Sequence, residues 1–341
     1  MLSPMFIAED INQFKTLFVN QLKNMLSADE LGAFILVLAN SHQHTFLKKA
    51  LQDDLTDTFV ALKDNFVTGR LNATQDDSDV FKQLIDKVLE DIPAWSYKTI
   101  GNWQVVCNSM RQLRPARASS QILTTIKQPY DEAKFHFNKA FLKPEILWEG
   151  VYKKLTLRVL FNKFPFSDYH LLIVISPEKN SSQMITQEIH KYAYEMMNVV
   201  SEVFPGFGLG FNSLAAGASV NHLHFQGFIR DQDLPIENSF WKHHGGDVDY
   251  PLTVKCFTDT DLAWGYMNKL INQDIAFNCL YRKNSCYVIP RKYQGSVELP
   301  DWLDGAGWLD VAGVMTVSDE DTFNSIDEQS VTQALGRLRY N

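Results

Sequence analysis

The chain has 341 residues, 45% of them hydrophobic, and a formal net charge of −8. That length allows two domains, or one duplicated core with an extension, and the acidic balance excludes general attraction to nucleic acid, so an anionic substrate must be held by a local basic cluster. Cys107, Cys256, Cys279 and Cys286 show no C-x-x-C spacing, which argues against a thiolate metal site or a disulfide framework and suits a reducing cytoplasm.

The first residues include Glu9 and Asp10 and lack a basic stretch followed by an apolar run, and the longest continuous apolar run, 33–39, is too short for a bilayer. A soluble cytoplasmic protein without membrane association is expected. Residues 1–92 read as helical. Ser27 followed by Glu30 is a capping-box pattern ahead of the apolar segment 31–38, and 80–91 repeats apolar positions at helical spacing before Pro93 stops it. The polar, acidic stretch 72–79 reads as a loop. His42 and His44, two apart beside a helix end, do not share a helical face and are expected at the surface.

After Pro93, residues 103–107 read as a strand leading into Arg111, Arg114 and Arg117. Guanidinium forks match phosphate oxygens, so this is a candidate phosphate clamp, although a charge run is ordinarily a solvated loop. Segments 156–161 and 170–176 read as two buried strands joined by Asn162-Lys163-Phe164-Pro165-Phe166-Ser167-Asp168. Phe164 and Phe166 could sandwich a flat base or simply close one end of a core. Apolar residues from Met184 to Val203 trace one face of a helix, with His190 one step off that stripe, structural or exposed. Gly206, Gly208 and Gly210 alternate, but they follow a helix and lead into a strand at 207–212, which fails the strand-loop-helix context of a dinucleotide fingerprint. Ala215-Ala216-Gly217-Ala218 reads as a tight loop.

Segment 219–229 then reads as a central strand whose period-two alternation sends His222, His224 and Gln226 to one face and Leu223, Phe225 and Ile229 to the other. Two imidazoles and an amide in a row can supply a nucleophile, its orienting neighbour and a hydrogen-bonding group for a bound anion. A zinc site would need further ligands, and no Cys or carboxylate stands at a fixed short spacing; satisfied, half-buried polar residues are the remaining reading. Further on, 276–281 and 286–290 read as paired strands, 307–317 as further strand and 328–338 as a helix. This repeats the earlier order weakly, with Val311-Ala312-Gly313-Val314-Met315 where a second catalytic row would sit. The expected class is α+β, divided as a helical extension (1–92), a catalytic half (93–235) and a degenerate second half (236–341).

Asn221-His222-Leu223-His224-Phe225-Gln226, together with Asn162-Lys163-Phe164-Pro165-Phe166, resembles the histidine-triad superfamily in its galactose-1-phosphate uridylyltransferase branch, with wording most similar to GDP-hexose phosphorylases. Arg111-Gln112-Leu113-Arg114-Pro115 is similar to the Arg-x-x-Arg-Pro segment that faces substrate phosphates in the uridylyltransferases, and residues 137–141, with Asn138, to a segment near their nucleotide. The resemblance covers roughly residues 100–341. It implies a histidine-triad-like antiparallel sheet, usually in a homodimer, and transfer through a nucleotidyl-histidine. His224 would be the nucleophile, His222 would orient it, and Gln226 would donate its amide to a phosphoryl oxygen. Arg111 and Arg114 would supply positive charge, and Gly217, Ser219 and Asn221 would line the phosphates. Phe164 and Phe166 would contact the base, with Asn162 near base or ribose. The implied substrates are a nucleoside diphosphate sugar or a dinucleotide, with phosphate or sugar phosphate as acceptor. The cysteine pattern by which uridylyltransferases often bind metal is missing, so neither metal nor cofactor is expected. A hexose-1-phosphate uridylyltransferase, a dinucleoside polyphosphate phosphorylase and a non-catalytic nucleotide-binding protein are the alternatives.

Overall fold

The computed structural model describes residues 6–27, 30–114, 123–303 and 305–340. Four helices come first: α1 (Ile11–Leu26), α2 (Leu31–Ser41), α3 (Thr45–Val67) and α4 (Gln75–Leu84). Phe14, Phe18, Leu22 and Met25 make the buried stripe of α1. Helix α2 is apolar on nearly every side and therefore sits in the middle, packed against the other three.

Three local expectations change here. Ser27 closes α1, its hydroxyl donating to the Asn24 carbonyl, while Glu30 precedes α2 without a side-chain cap bond, so the capping box does not form. The acidic stretch 72–79 starts a helix: the Thr74 hydroxyl accepts from the Asp77 N–H, and Asp76 and Asp77 complement the helix dipole in its first turn. The α2–α3 turn is covered. Its His42 is buried and bonds the Leu38 carbonyl at 2.7 Å, and its Gln43 accepts from the Tyr169 N–H. His42 is thus no surface residue, and burial pushes its imidazole down to about 4. His44 is only part-exposed and lies 3.7 Å from Asp168.

A small sheet follows, β1 (Ser96–Ile100) antiparallel to β2 (Trp103–Cys107), with the C-terminal β11 (Val314–Val317) parallel to β2. The main elements between them are β3 (Ile146–Tyr152), β4 (Leu155–Phe161), β5 (Leu171–Ile175), α5 (Gln187–Val203), β6 (Phe207–Asn212), β7 (His224–Ile229), β8 (Lys255–Phe257), α6 (Thr260–Asn272), β9 (Phe277–Arg282) and β10 (Ser285–Pro290). Their strands form one eight-stranded antiparallel sheet in the order β3-β4-β5-β7-β6-β9-β10-β8. Alternation splits its side chains. Phe161, Ile173, Leu209, Phe225 and Tyr281 join one core with α1–α5, whereas Phe228, Leu280, Tyr287 and Ile289 join a second core with Trp308 and the C-terminal elements.

The expected strand at 307–317 is instead a short helix, α7 (Trp308–Val311), and then β11; α8 (Glu320–Ser325) and α9 (Glu328–Arg337) complete the chain. The apolar run is buried because α7 lies over β6 and β9. Six strands of the sheet, β5-β7-β6-β9-β10-β8, are also palindromic about the β6–β9 pair, with β3 and β4 unmatched at one edge. Strand, helix, strand, strand runs β5-α5-β6-β7 on one side and β8-α6-β9-β10 on the other. Aligned strand start on strand start, Gln226 opposite Gly210 corresponds to Tyr287 opposite Leu280, and His224 to Ser285. The counterpart of the His-x-His-x-Gln row is therefore at 283–287 and not at 311–315.

Candidate functional site

The central strand is shorter than its alternation suggests. It begins at His224, because Leu223 donates its N–H to the Ser181 carbonyl instead of extending the pairing with β5. Gln183 holds the strand start from the same segment: its carbonyl oxygen accepts from the His224 N–H at 2.9 Å, and its amide donates to the His224 and Asn212 carbonyls. The His224 ring is buried, with Nδ1 2.8 Å from the His222 carbonyl oxygen. A carbonyl only accepts, so Nδ1 carries the proton and Nε2 keeps its lone pair. Burial pushes this imidazole down to about 4, so it is neutral at physiological pH.

His222 is fixed in the same way. Its Nδ1 accepts from the Phe137 N–H at 3.1 Å, and its other nitrogen bonds the Pro177 carbonyl. Burial first, then His224, His136 and Arg158, push it down to about 4. The Phe137 ring lies 5.7 Å from the His222 ring and 4.9 Å from that of His224. Gln226 accepts at Oε1 from the Trp308 indole at 2.6 Å and from His170 Nε2 at 3.2 Å, which turns its amide NH₂ away from both donors. His170 accepts the Phe166 N–H at Nδ1, and burial pushes it down to about 3. His222, His224 and His170 are all neutral rings with a set tautomer.

The other sequence-predicted residues divide. Phe166 lies 4.3 Å, ring to ring, from His170, and the Arg111 guanidinium sits over the Phe166 ring at 5.3 Å from its centre. Arg111 also acts electrostatically on His170 and Asp310, which brings it to the row. Phe164 packs against the helical core instead, so the two phenylalanines belong to different cores. Asn162 is near His170 at 3.4 Å and bonds the Phe164 N–H. Asn138 joins the support of His222: it donates to the Pro177 carbonyl and accepts from Arg158. Asn221 ties the loop before β7 to the Gln183 N–H and the Pro129 carbonyl. Ser219 is exposed on that loop. Gly217, at φ +97°, passes so close to Gly307 that a Cβ would sit 3.1 Å from its Cα. Arg114 ends a 3₁₀ turn beyond Arg111, and Pro115 and Arg117 lie outside the described residues.

Sequence reasoning missed Gln183, His170 and Trp308. His170 opens a strand read as apolar, and its partner is 56 residues away. Trp308 had no local signal; its ring stacks on Phe228 at 4.7 Å and covers Gly210, where a Cβ would collide with the indole. A Cβ at Gly208 would likewise strike the Phe228 ring, so two of the three glycines of the rejected fingerprint make room for aromatic rings. His190 is buried between the Tyr281 hydroxyl and the Thr260 carbonyl, a structural residue. Among the described residues no group of three or more His, Cys, Asp or Glu is arranged to hold a metal ion, and no helix is long and apolar enough to cross a membrane.

The segment that carries this row is similar to known proteins. Residues 99–228 match the family model described as GDPGP1-like, N-terminal domain. The match takes in Arg111, Phe166, His170, Gln183, His222, His224 and Gln226, but not Trp308. GDP-D-glucose phosphorylase 1 of Danio rerio is 37% identical over 126 residues, 36% of this chain and 35% of that protein. The Homo sapiens protein of the same name is 31% identical over 132 residues, 36% of this chain and 33% of its own length. The match thus spans about a third of the length of these curated relatives. Among solved structures, yeast Ap4A phosphorylase Apa2 in complex with AMP superposes with a TM-score of 0.51 at 16% identity, covering 72% of this chain and 88% of that one. Its complex with Ap4A gives 0.51 at 16%, covering 72% and 90%. The chain resembles the GDP-hexose phosphorylases in sequence over this segment, and its fold is similar to that of the Ap4A phosphorylase.

Proposed function

We propose that the protein is a nucleoside diphosphate hexose phosphorylase working through a nucleotidyl-histidine at His224. The single observation that carries this reading is the Nδ1–H bond of His224 to the His222 carbonyl, which leaves a neutral Nε2 with a free lone pair as nucleophile. Nε2 attacks the α-phosphorus in line; the N–P bond forms as the P–O bond to hexose 1-phosphate breaks. A phosphate oxygen then attacks the same phosphorus, the N–P bond breaks, and a nucleoside diphosphate leaves. The His222 carbonyl accepts the Nδ1 proton throughout and steadies the positive charge that develops on the ring.

The leaving group is a sugar phosphate anion in the first step and the His224 imidazole, which departs as a neutral ring, in the second, so neither step needs a strong acid, which fits Gln226 in the third place of the row. With Oε1 occupied by Trp308 and His170, its amide NH₂ is the end available to a phosphoryl oxygen. Arg111, braced on the Phe166 ring, supplies charge to the phosphates, with Arg114 behind it. Gly217, Ser219 and Asn221 border the phosphate path, and Phe166 and Asn162 stand nearest the nucleoside; Phe164 supports them from the core. The name shared by the sequence relatives supports guanine and glucose as base and sugar, with a dinucleotide as the alternative substrate. The palindromic six strands support reading residues 236–341 as a second copy that kept strands and lost the row. A cytoplasmic site of action suits the four free cysteines.

The test is phosphorolysis of GDP-glucose, GDP-mannose, UDP-glucose, ADP-glucose and diadenosine tetraphosphate by the purified protein, followed by chromatography. Phosphate-dependent release of GDP and hexose 1-phosphate is expected to dominate. Faster cleavage of the dinucleotide than of every sugar donor would transfer the reading to the dinucleoside polyphosphate phosphorylases.

A further inference from the structure

Helix α2 is apolar through residues 33–39, yet Asn40 at its end and Gln43 just beyond are buried as completely as the residues before them. A buried amide is costly unless it is hydrogen-bonded, so the partners of this pair show what it is for. Asn40 Nδ2 donates to the Leu36 carbonyl within the helix and to the Asn162 carbonyl outside it, both at 2.9 Å. Gln43 Nε2 donates to Asn40 Oδ1 at 2.8 Å, and Gln43 Oε1 accepts from the Tyr169 N–H at 2.6 Å. Both amide orientations are forced, because a carbonyl only accepts and a backbone N–H only donates. The pair thus grips the connector between β4 and β5 at both ends, residue 162 and residue 169. A second grip comes from α4: Lys163 donates to Asp77 Oδ1 at 2.6 Å, with the two side chains only 27% and 16% exposed. Gly32 on α2 leaves the space they fill, since a Cβ there would stand 3.2 Å from Asp77 Oδ2. Between these points Asn108 donates to the Pro165 carbonyl at 2.9 Å and the Tyr97 hydroxyl to Asp168 at 2.7 Å.

We propose that Asn40, Gln43 and the Asp77–Lys163 ion pair are positioning residues that set the connector 162–169 for recognition of the nucleoside, so that the helical part of the chain is needed for nucleotide selectivity as well as for the core. The proposal rests on the reading above that Phe166 and Asn162 stand nearest the nucleoside. The bonds just described fix the backbone on either side of Phe166, whose N–H meets His170 Nδ1 at 3.2 Å and whose ring carries Arg111. They also fix the carbonyl of Asn162, whose side chain lies 3.4 Å from His170. A shift of about 1 Å in such a segment is enough to spoil a bound geometry, and a network in which the members satisfy one another resists that shift better than isolated bonds. The phosphates are served from elsewhere, by Gln226 on β7 and by Arg111, so loosening the connector acts first on the nucleoside end of the ligand.

The test is isothermal titration of the full chain with GDP, UDP, ADP and pyrophosphate, comparing the native protein with Gln43→Met and Asp77→Asn. Pyrophosphate carries the same two phosphates without the nucleoside, so the ratio of the two affinities isolates the nucleoside end, which a general loss of stability would not change. The Asp77–Lys163 pair is partly exposed, so Asp77→Asn keeps the fold even where Gln43→Met does not. The tightest-binding nucleotide is expected to weaken roughly tenfold in Gln43→Met and about threefold in Asp77→Asn, with pyrophosphate changed by less than about twofold. Native nucleotide affinity in both variants, an equal loss of nucleotide and pyrophosphate, or no binding of any of the three nucleotides by the native protein would overturn the proposal. A native protein that forms no nucleotidyl-histidine but shows the selective loss of nucleotide in both variants would sink the phosphorylase reading and leave this one standing. An adduct at His224 together with native GDP affinity in both variants would do the reverse.

Discussion

His224, His222 and His170 owe their neutrality to burial and their tautomers to main-chain partners, and both properties can be tested separately. All three, with His42, are pushed from an ordinary 6.5 to about 3 or 4. The unfolded chain therefore takes up protons from about pH 6.5 downwards while the folded chain does not until about pH 4. Stability from these groups is fully present above pH 6.5 and is lost as pH falls towards 4. Urea midpoints measured from pH 7.5 to 4.5 should fall steadily below 6.5; a flat profile would show that the rings are not held neutral. Trp308→Phe removes one of two donors to Gln226 and leaves its amide able to turn over. A kcat loss of about tenfold with little change in KM is expected, because one oriented bond is worth roughly 1–3 kcal/mol.

At the level of elements, Gln183 fastens β7 to the end of β6. Gln183→Leu leaves the His224 N–H and two carbonyls without their side-chain partner, at about 1–3 kcal/mol for each group that water does not reach. A drop in the chemical unfolding midpoint should accompany any loss of activity; lost activity at native stability would mean that Gln183 acts on substrate instead. What was legible in the sequence follows the range of the forces. Strands β2, β4, β5, β6, β9 and β10 and helices α5 and α9 announce themselves through local apolar periodicity. The α4 start was hidden because acidic first-turn residues look like a loop, and α7 because an apolar run of mixed period passes for a strand. Within the site, His222, His224 and Gln226 are adjacent in sequence and could be read, whereas His170 and Trp308 reach Gln226 across 56 and 82 residues.

In the whole molecule, the helical N-terminal part and the sheet share one core. Phe14 and Phe18 meet Tyr169, Phe161 and Phe204 at ring distances between 4.9 and 5.6 Å. A chain beginning at residue 93 would expose this face, so it should be insoluble or should lose cooperative unfolding; a soluble, cooperatively melting fragment would show that the helices are an appendage. The same core backs the sheet that carries His224, which ties the extension to the site.

The most direct measurement is intact-protein mass after brief incubation with GDP-glucose in the absence of phosphate, for the native protein and His224→Ala. A gain of one guanosine monophosphate, acid-labile, lost on adding phosphate and missing in the variant, is expected. The same gain in His224→Ala, or phosphate-dependent turnover with no adduct on the native protein, would contradict a nucleotidyl-histidine at this residue.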